Sequence, residues 1–128
     1  MTRQLIASDS PFEEQIGFSR AVRSGPVIAV SGTAPLDAAG KTFAPGDCYA
    51  QTRRSLAIVI AAIEQAGATI DSIVRTRVLL TDMKLWREAA RAHGEVFRSV
   101  RPACTFVEVK GFIDPDWLVE IEADCYVV

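Results

Sequence analysis

One histidine, His93, and three cysteines, Cys48, Cys104 and Cys125, are all that this 128-residue chain offers a metal in the way of imidazole and thiolate. A catalytic zinc site is therefore not expected. The odd number of cysteines, without metal-type spacing, argues for reduced thiols in a cytoplasmic protein rather than a disulfide framework. No apolar run approaches the roughly twenty residues of a membrane span. The start, Met1-Thr2-Arg3-Gln4-Leu5, lacks the apolar core of a secretory signal. An excess of one charge is missing too. Fourteen Lys and Arg face sixteen Asp and Glu, for a net charge of -2, and the pI is near 5.4. No global field draws such a chain towards nucleic acid or an anionic membrane. Internal repeats and low-complexity linkers are absent as well.

What remains is an ordinary globular composition, 49% hydrophobic and 23% charged. Its length suits one domain spanning residues 1–128, able to bury about two thirds of its unfolded surface. Residues 18–23 and 27–32 read as a hairpin about the Ser24-Gly25-Pro26 turn. Pro35, Gly40, Pro45 and Gly46 mark residues 33–46 as a connecting loop. Asp47 is a helix N-cap. Leu56, Val59, Ile60 and Ile63 form an amphipathic stripe that Gly67 ends. Residues 73–80 alternate, with Val74, Thr76, Val78 and Leu80 on one side and Arg75 and Arg77 on the other. Thr81-Asp82 opens a second helix, whose buried stripe is Leu85, Ala89, Ala92, Val96 and Phe97. Pro102 ends it, and two more strands, joined by a short turn, close the chain.

The resulting order is strand, strand, helix, strand, helix, strand, strand. It predicts an α+β domain with both helices on one face of the sheet. In the last strand, alternation puts Glu120, Glu122 and Asp124 on one face and Val119, Ile121, Ala123 and Cys125 on the other. Helices that cover the apolar side leave the carboxylates, with Arg75 and Arg77, uncovered by their own chain. Leu79, Phe106 and Tyr126 fall on the same face by this alternation. Water against that mixture would expose a sizeable apolar patch, so copies of the same protein are expected to close it.

Several segments taken in order resemble the YjgF/Rid family of reactive-intermediate deaminases. They are Gly17-Phe18-Ser19-Arg20-Ala21-Val22, Val30-Ser31-Gly32-Thr33-Ala34, Gln51-Thr52-Arg53-Arg54-Ser55-Leu56, Val74-Arg75-Thr76-Arg77-Val78 and His93-Gly94-Glu95-Val96-Phe97. The final strands complete the match with Arg101-Pro102-Ala103-Cys104-Thr105-Phe106-Val107-Glu108-Val109 and Val119-Glu120-Ile121-Glu122-Ala123. The resemblance implies a chorismate-mutase-like fold and a homotrimer with its sheets in a central barrel. It also implies a small-molecule cleft at each subunit interface, and hydrolysis of enamines and imines without metal or cofactor. Carried over by residue, Ser31 lies in the family's Ser-Gly and Glu120 matches the acid that positions water or passes protons. Phe18 or Ser19 falls near an aromatic that caps the pocket. Cys104 stands where the deaminases have a substrate-binding arginine.

Each candidate has a plainer reading. Glu120 is a proton shuttle if clustering and burial raise its pKa, or else one rung of a carboxylate ladder neutralised by Arg75 and Arg77. Cys104 is a pocket-lining residue, a nucleophile or plain packing. His93 lies on a helical stripe and reads as a packed core histidine. Arg101 and Arg20 are anion binders in place of the missing arginine, or surface cations. Ser31 binds substrate, or only ends a strand. A thiol cannot replace a bidentate arginine contact, which points to a substrate without an α-carboxylate. The family is also described as endoribonucleases. A single histidine and an acidic pI, with no basic patch interleaved with aromatics, give that activity no support here. Two functions remain from this reading: a trimeric hydrolase of a reactive enamine, imine or related carbonyl compound, and a non-catalytic metabolite-binding or protein-interaction trimer.

Overall fold

The computed structural model describes residues 3–128. Six strands form one mixed sheet: β1 (Arg3–Ile6), β2 (Ala21–Ser24), β3 (Val27–Thr33), β4 (Ile73–Leu80), β5 (Ala103–Glu108) and β6 (Val119–Tyr126). Two main helices, α2 (Cys48–Gln65) and α3 (Trp86–Phe97), accompany it, with a single-turn helix α1 (Glu13–Ile16) after β1. The spatial order is β1-β2-β3-β6-β4-β5, antiparallel throughout except for the parallel β4–β5 pair.

Burial explains the architecture. Leu56, Val59 and Ile63 of α2, Ala89 and Phe97 of α3, and Val78, Ile121 and Ala123 of the sheet share one apolar cluster. Each fully buried Leu, Ile, Val or Phe contributes about 1.5–3 kcal/mol relative to exposure. Asp47 caps α2 by accepting from the Ala50 amide, as its position in the sequence predicts. Gly67, at φ +86°, reverses the chain just after the helix.

Gln51 holds the far end of this layer together. It is fully buried. Its Nε2 donates to the carbonyls of Ala44 (3.3 Å) and Asp116 (3.0 Å), and its Oε1 accepts from the Leu118 amide at 2.9 Å. One side chain thus ties both long loops to α2, directly ahead of β6.

The structure departs from the sequence expectations at identifiable places. β1 and α1 lie in a stretch without clear periodicity; β1 takes its place by pairing with β2. Phe18, Ser19 and Arg20 precede β2 rather than belonging to it. The last two strands are not a turn-joined pair: β6 inserts between β3 and β4, while β5 runs along the outside of β4. β4 lies between β5 and β6, so residues 109–118 must cross the end of β4 rather than make a tight turn. Val74 does not face the core. The register slips between Ile73 and Arg75, and the bulged Val74 is 52% exposed. Phe106 sits on the helix side, because it pairs in register with buried Val78 and packs near His93. Asp82 caps a 3-10 turn over Met83–Leu85, and α3 proper begins at Trp86.

Two substitutions check this description in urea denaturation. Gln51→Leu strands buried backbone groups in two loops and is expected to cost at least about 2 kcal/mol. Val74→Ala, at the exposed bulge, is expected to change stability by less than about 0.5 kcal/mol.

Candidate functional site

The chemistry gathers at the end of β3, where it crosses the start of β6. Here the β3–β6 register is broken between Val30 and Thr33, which lets the Ser31-Gly32 step deviate from regular pairing. Arg20, just ahead of β2, turns its guanidinium onto that step. Its Nη1 donates to Ser31 Oγ at 3.0 Å, the Gly32 carbonyl at 2.8 Å and Thr33 Oγ1 at 3.0 Å. The Ser31 hydroxyl in turn donates to the Arg20 carbonyl at 3.1 Å. The Phe18 ring lies 5.9 Å from the guanidinium carbon.

Glu120 meets this cluster from β6. A Cβ placed on Gly32 would stand 2.6 Å from Glu120 Oε1, so the carboxyl rests where only a glycine leaves room. Half-burial is the main cause that lifts the Glu120 pKa above the usual carboxylate range. Nearby Arg20 opposes the rise and Glu122 adds to it. Burial likewise draws Arg20 below its ordinary value, against the pull of Glu120 and Glu13. An acid with a raised pKa thus sits near an arginine, a hydroxyl and an irregular piece of strand.

The other two carboxylates of β6 have a different environment. Arg77 of β4 lies 3.2 Å from Asp124 and 3.6 Å from Glu122. For these two the neutralised ladder is what the side chains form. Arg75 makes no ion pair among the described residues.

Phe18, Ser19 and Ser31 line one cavity of about 740 Å³ on the uncovered side of the sheet, with Arg77, Glu122 and Asp124. Cys104 is not among them. It pairs in register with buried Thr76 and so shares the helix side of the sheet, whereas Glu120 lies on the opposite face. The thiol is exposed, on the edge strand. Arg101 is exposed in the link between α3 and β5, in a left-handed conformation (φ +54°), and lines neither this cavity nor the larger one described below. Within one chain, therefore, Phe18, Ser31 and Glu120 lie near Arg20, and Phe18, Ser19 and Ser31 share the cavity on the uncovered side; Glu120 lines neither cavity, and Cys104 and Arg101 stand apart.

His93 is half-buried against Phe97, with ring centroids 4.6 Å apart, and its Nε2 is 2.8 Å from Thr76 Oγ1. Burial lowers its pKa. Burial raises Cys48 and Cys125 to about 11, which leaves both thiols protonated and unreactive at neutral pH. Among the described residues no group of three or more His, Cys, Asp or Glu is placed to hold a metal ion, and no helix is long and apolar enough to cross a membrane. Sequence reasoning underrated Arg20 and passed over Gly32. A glycine inside a strand pattern was the available signal for a close approach.

A family model described as endoribonuclease L-PSP matches residues 9–127. A crystal structure of Rv2704 from Mycobacterium tuberculosis, a member of the YjgF/YER057c/UK114 family, superposes with a TM-score of 0.89 at 44% identity, covering 98% of this chain and all of that one. The chain belongs to the YjgF/Rid family. An uncharacterized protein of Streptomyces coelicolor is 40% identical over 121 residues, 94% of this chain and 90% of its own length. The fold also matches Escherichia coli TdcF, crystallised with bound serine, with a TM-score of 0.81 at 23% identity over 97% of this chain and 94% of that one. Family and fold thus agree with the expectation from the motifs: one mixed sheet carrying two main helices on one side.

The raised pKa of Glu120 has a consequence for stability. A carboxyl whose folded pKa lies above its unfolded value of about 4.5 favours folding while protonated, and that contribution is lost as pH rises through the folded pKa. Glu120→Gln has no such loss. Its stability relative to the parent should rise between about pH 4 and pH 7. An equal difference at both pH values would mean that Glu120 titrates as an exposed carboxylate.

Proposed function

We propose that this protein is a hydrolase of the Rid type, acting on a small enamine, imine or related carbonyl compound in a cleft between subunits of a homotrimer. One observation carries the reading: the half-buried Glu120 carboxyl, lodged against Gly32 and near Arg20, on the face of the sheet opposite α2 and α3. Raising a carboxyl's pKa moves its acid form towards neutral pH, which suits a group that must both give and take a proton. It would protonate the imine nitrogen, or the β-carbon of an enamine, and take a proton from the attacking water. Water adds to the carbon to give a carbinolamine, and its collapse breaks the C–N bond. The products are a carbonyl compound and ammonia, so one water is consumed for each ammonia released. Ser31 would hydrogen-bond the reacting group, and Phe18 and Ser19 would shape the pocket wall.

The trimer is part of this proposal. Leu5, Val27, Val107 and Tyr126 are all exposed and lie on the uncovered face by register. Closing three such faces on one another would bury them. It would also bring the edge strand β5, and with it Cys104, towards the Ser31–Glu120 site of a neighbour. Cys104 would then contribute a neutral wall where the founding members place a cation.

The alternative is a trimer that binds a metabolite or a protein partner without chemistry. Cys104 is the observation that favours it, since a thiol cannot fork onto a carboxylate.

Ammonia release from imines generated in situ by an amino-acid oxidase, and from a neutral imine, tests the hydrolase reading. The native protein should accelerate hydrolysis of at least one, and Glu120→Gln should lower that rate about 100-fold or more. No acceleration of either would favour the binding protein. Light scattering should give a mass near three times the 13.9 kDa chain; a monomer would take Cys104 out of the site.

A further inference from the structure

The half-buried Arg20 guanidinium is only partly used by its own chain. A guanidinium carries five N–H donors in a rigid fork. All three of its recorded hydrogen bonds leave from one nitrogen, Nη1, to Ser31, Gly32 and Thr33. Nε and Nη2 have no partner among the described residues. No carboxylate comes within ion-pair distance either: the ion pairs of the described residues are Arg53–Glu95, Arg77–Glu122 and Arg77–Asp124. The Nη1 contacts lock the guanidinium plane, and the unused nitrogens are the two that form its side-on edge. Two parallel N–H bonds along that edge match the two oxygens of a carboxylate.

There is space beside it. Arg20 borders a cavity of about 840 Å³ on the helix side of the sheet, next to Ile6, Thr33, Ala34 and Ala62, within the usual size range of small-molecule sites. Of the acids around that cavity, Asp9 forms no ion pair with Arg20, whereas Asp37 accepts from the amides of Ala39 and Lys41, and Asp114 from the Asp116 amide and Thr42. Those last two carboxylates serve their own loops rather than Arg20.

We propose that Arg20 is the anion anchor of the site: its Nε–Nη2 edge binds the carboxylate of a small monocarboxylate ligand at the sheet end where Nη1 reaches both Ser31 and Thr33, beside the Gly32 that Glu120 abuts. Arg20 is on this view a specificity-determining residue, supplying from β2's approach the fork that Cys104 does not supply from β5. The inference rests on the site proposed above and names its substrate class as carboxylate-bearing.

The test uses pyruvate and its neutral amide, pyruvamide, as probes, with calorimetry and ligand-detected NMR on the full chain. The native protein should bind pyruvate at least roughly tenfold more tightly than pyruvamide, as expected for losing one or more charge-assisted hydrogen bonds. Arg20→Lys keeps the charge but loses the fork, and should weaken pyruvate binding by a similar factor and so narrow the preference for pyruvate over pyruvamide. Equal binding of the two probes, no saturable pyruvate binding, or unaltered pyruvate affinity in Arg20→Lys would each overturn the proposal. Should the variant fold poorly, the comparison of probes on the native protein still decides. Failure here is separable from failure of the hydrolase reading. Hydrolysis of a neutral imine without preference for pyruvate would remove the anchor and keep the enzyme. Arg20-dependent pyruvate binding without any hydrolysis would support the anchor and leave a binding protein.

Discussion

The two-faced character of β6 constrains everything else in this molecule. Val119, Ile121, Ala123 and Cys125 are buried beneath the helices, so the alternating residues Glu120, Glu122 and Asp124 must point to the other side. A slip of one residue would place three carboxylates in the core and expose four apolar side chains. The strand is therefore held in one register, with β3 and β4 on either side, and Gln51 secures the loop that leads into it. The position of Glu120 follows from the packing of residues that never meet a ligand.

Three carboxylates on one strand nevertheless have unlike surroundings. Glu122 and Asp124 share Arg77 across the β4–β6 pair. Glu120 lies opposite Leu79 in that pairing and gains no such partner. Its neighbours come from the other side, from the bulged end of β3 and from Arg20. The distance between an ordinary surface ion pair and an acid with a raised pKa is thus two residues along one strand. Arg20 plays a linked part, because its hydrogen bonds to Ser31, Gly32 and Thr33 shape the backbone on which the Glu120 carboxyl rests.

Much of the fold was legible because hydrophobic periodicity and helix capping are local properties. The β2–β3 hairpin, the Asp47 cap, the apolar stripe of α2 and the alternation of β6 all came from residues a few positions apart. What misled were places where a long-range contact decided a local form. β1 has too few residues to show a pattern and exists by pairing with β2. Val74 alternates correctly in sequence but falls on a bulge that only the partner strand reveals. Alternation alone puts Phe106 on the wrong face, because the register between β4 and β5 joins residues far apart in the chain. The site was legible in the same uneven way. Glu120 and Ser31 could be named from their motifs, whereas the role of Arg20 depends on folding one side chain across a bulge eleven residues away.

By itself, then, the sequence determined which face of each regular element is apolar, which family the chain resembles, and that the family's arginine position holds Cys104. Those properties follow from residue identity and short-range spacing. Only the tertiary structure decided which acid is half-buried with its pKa raised, which arginine has donors to spare, and that Cys104 lies across the sheet from Glu120. Each of these depends on burial and on the pairing of distant strands, and no local pattern encodes either.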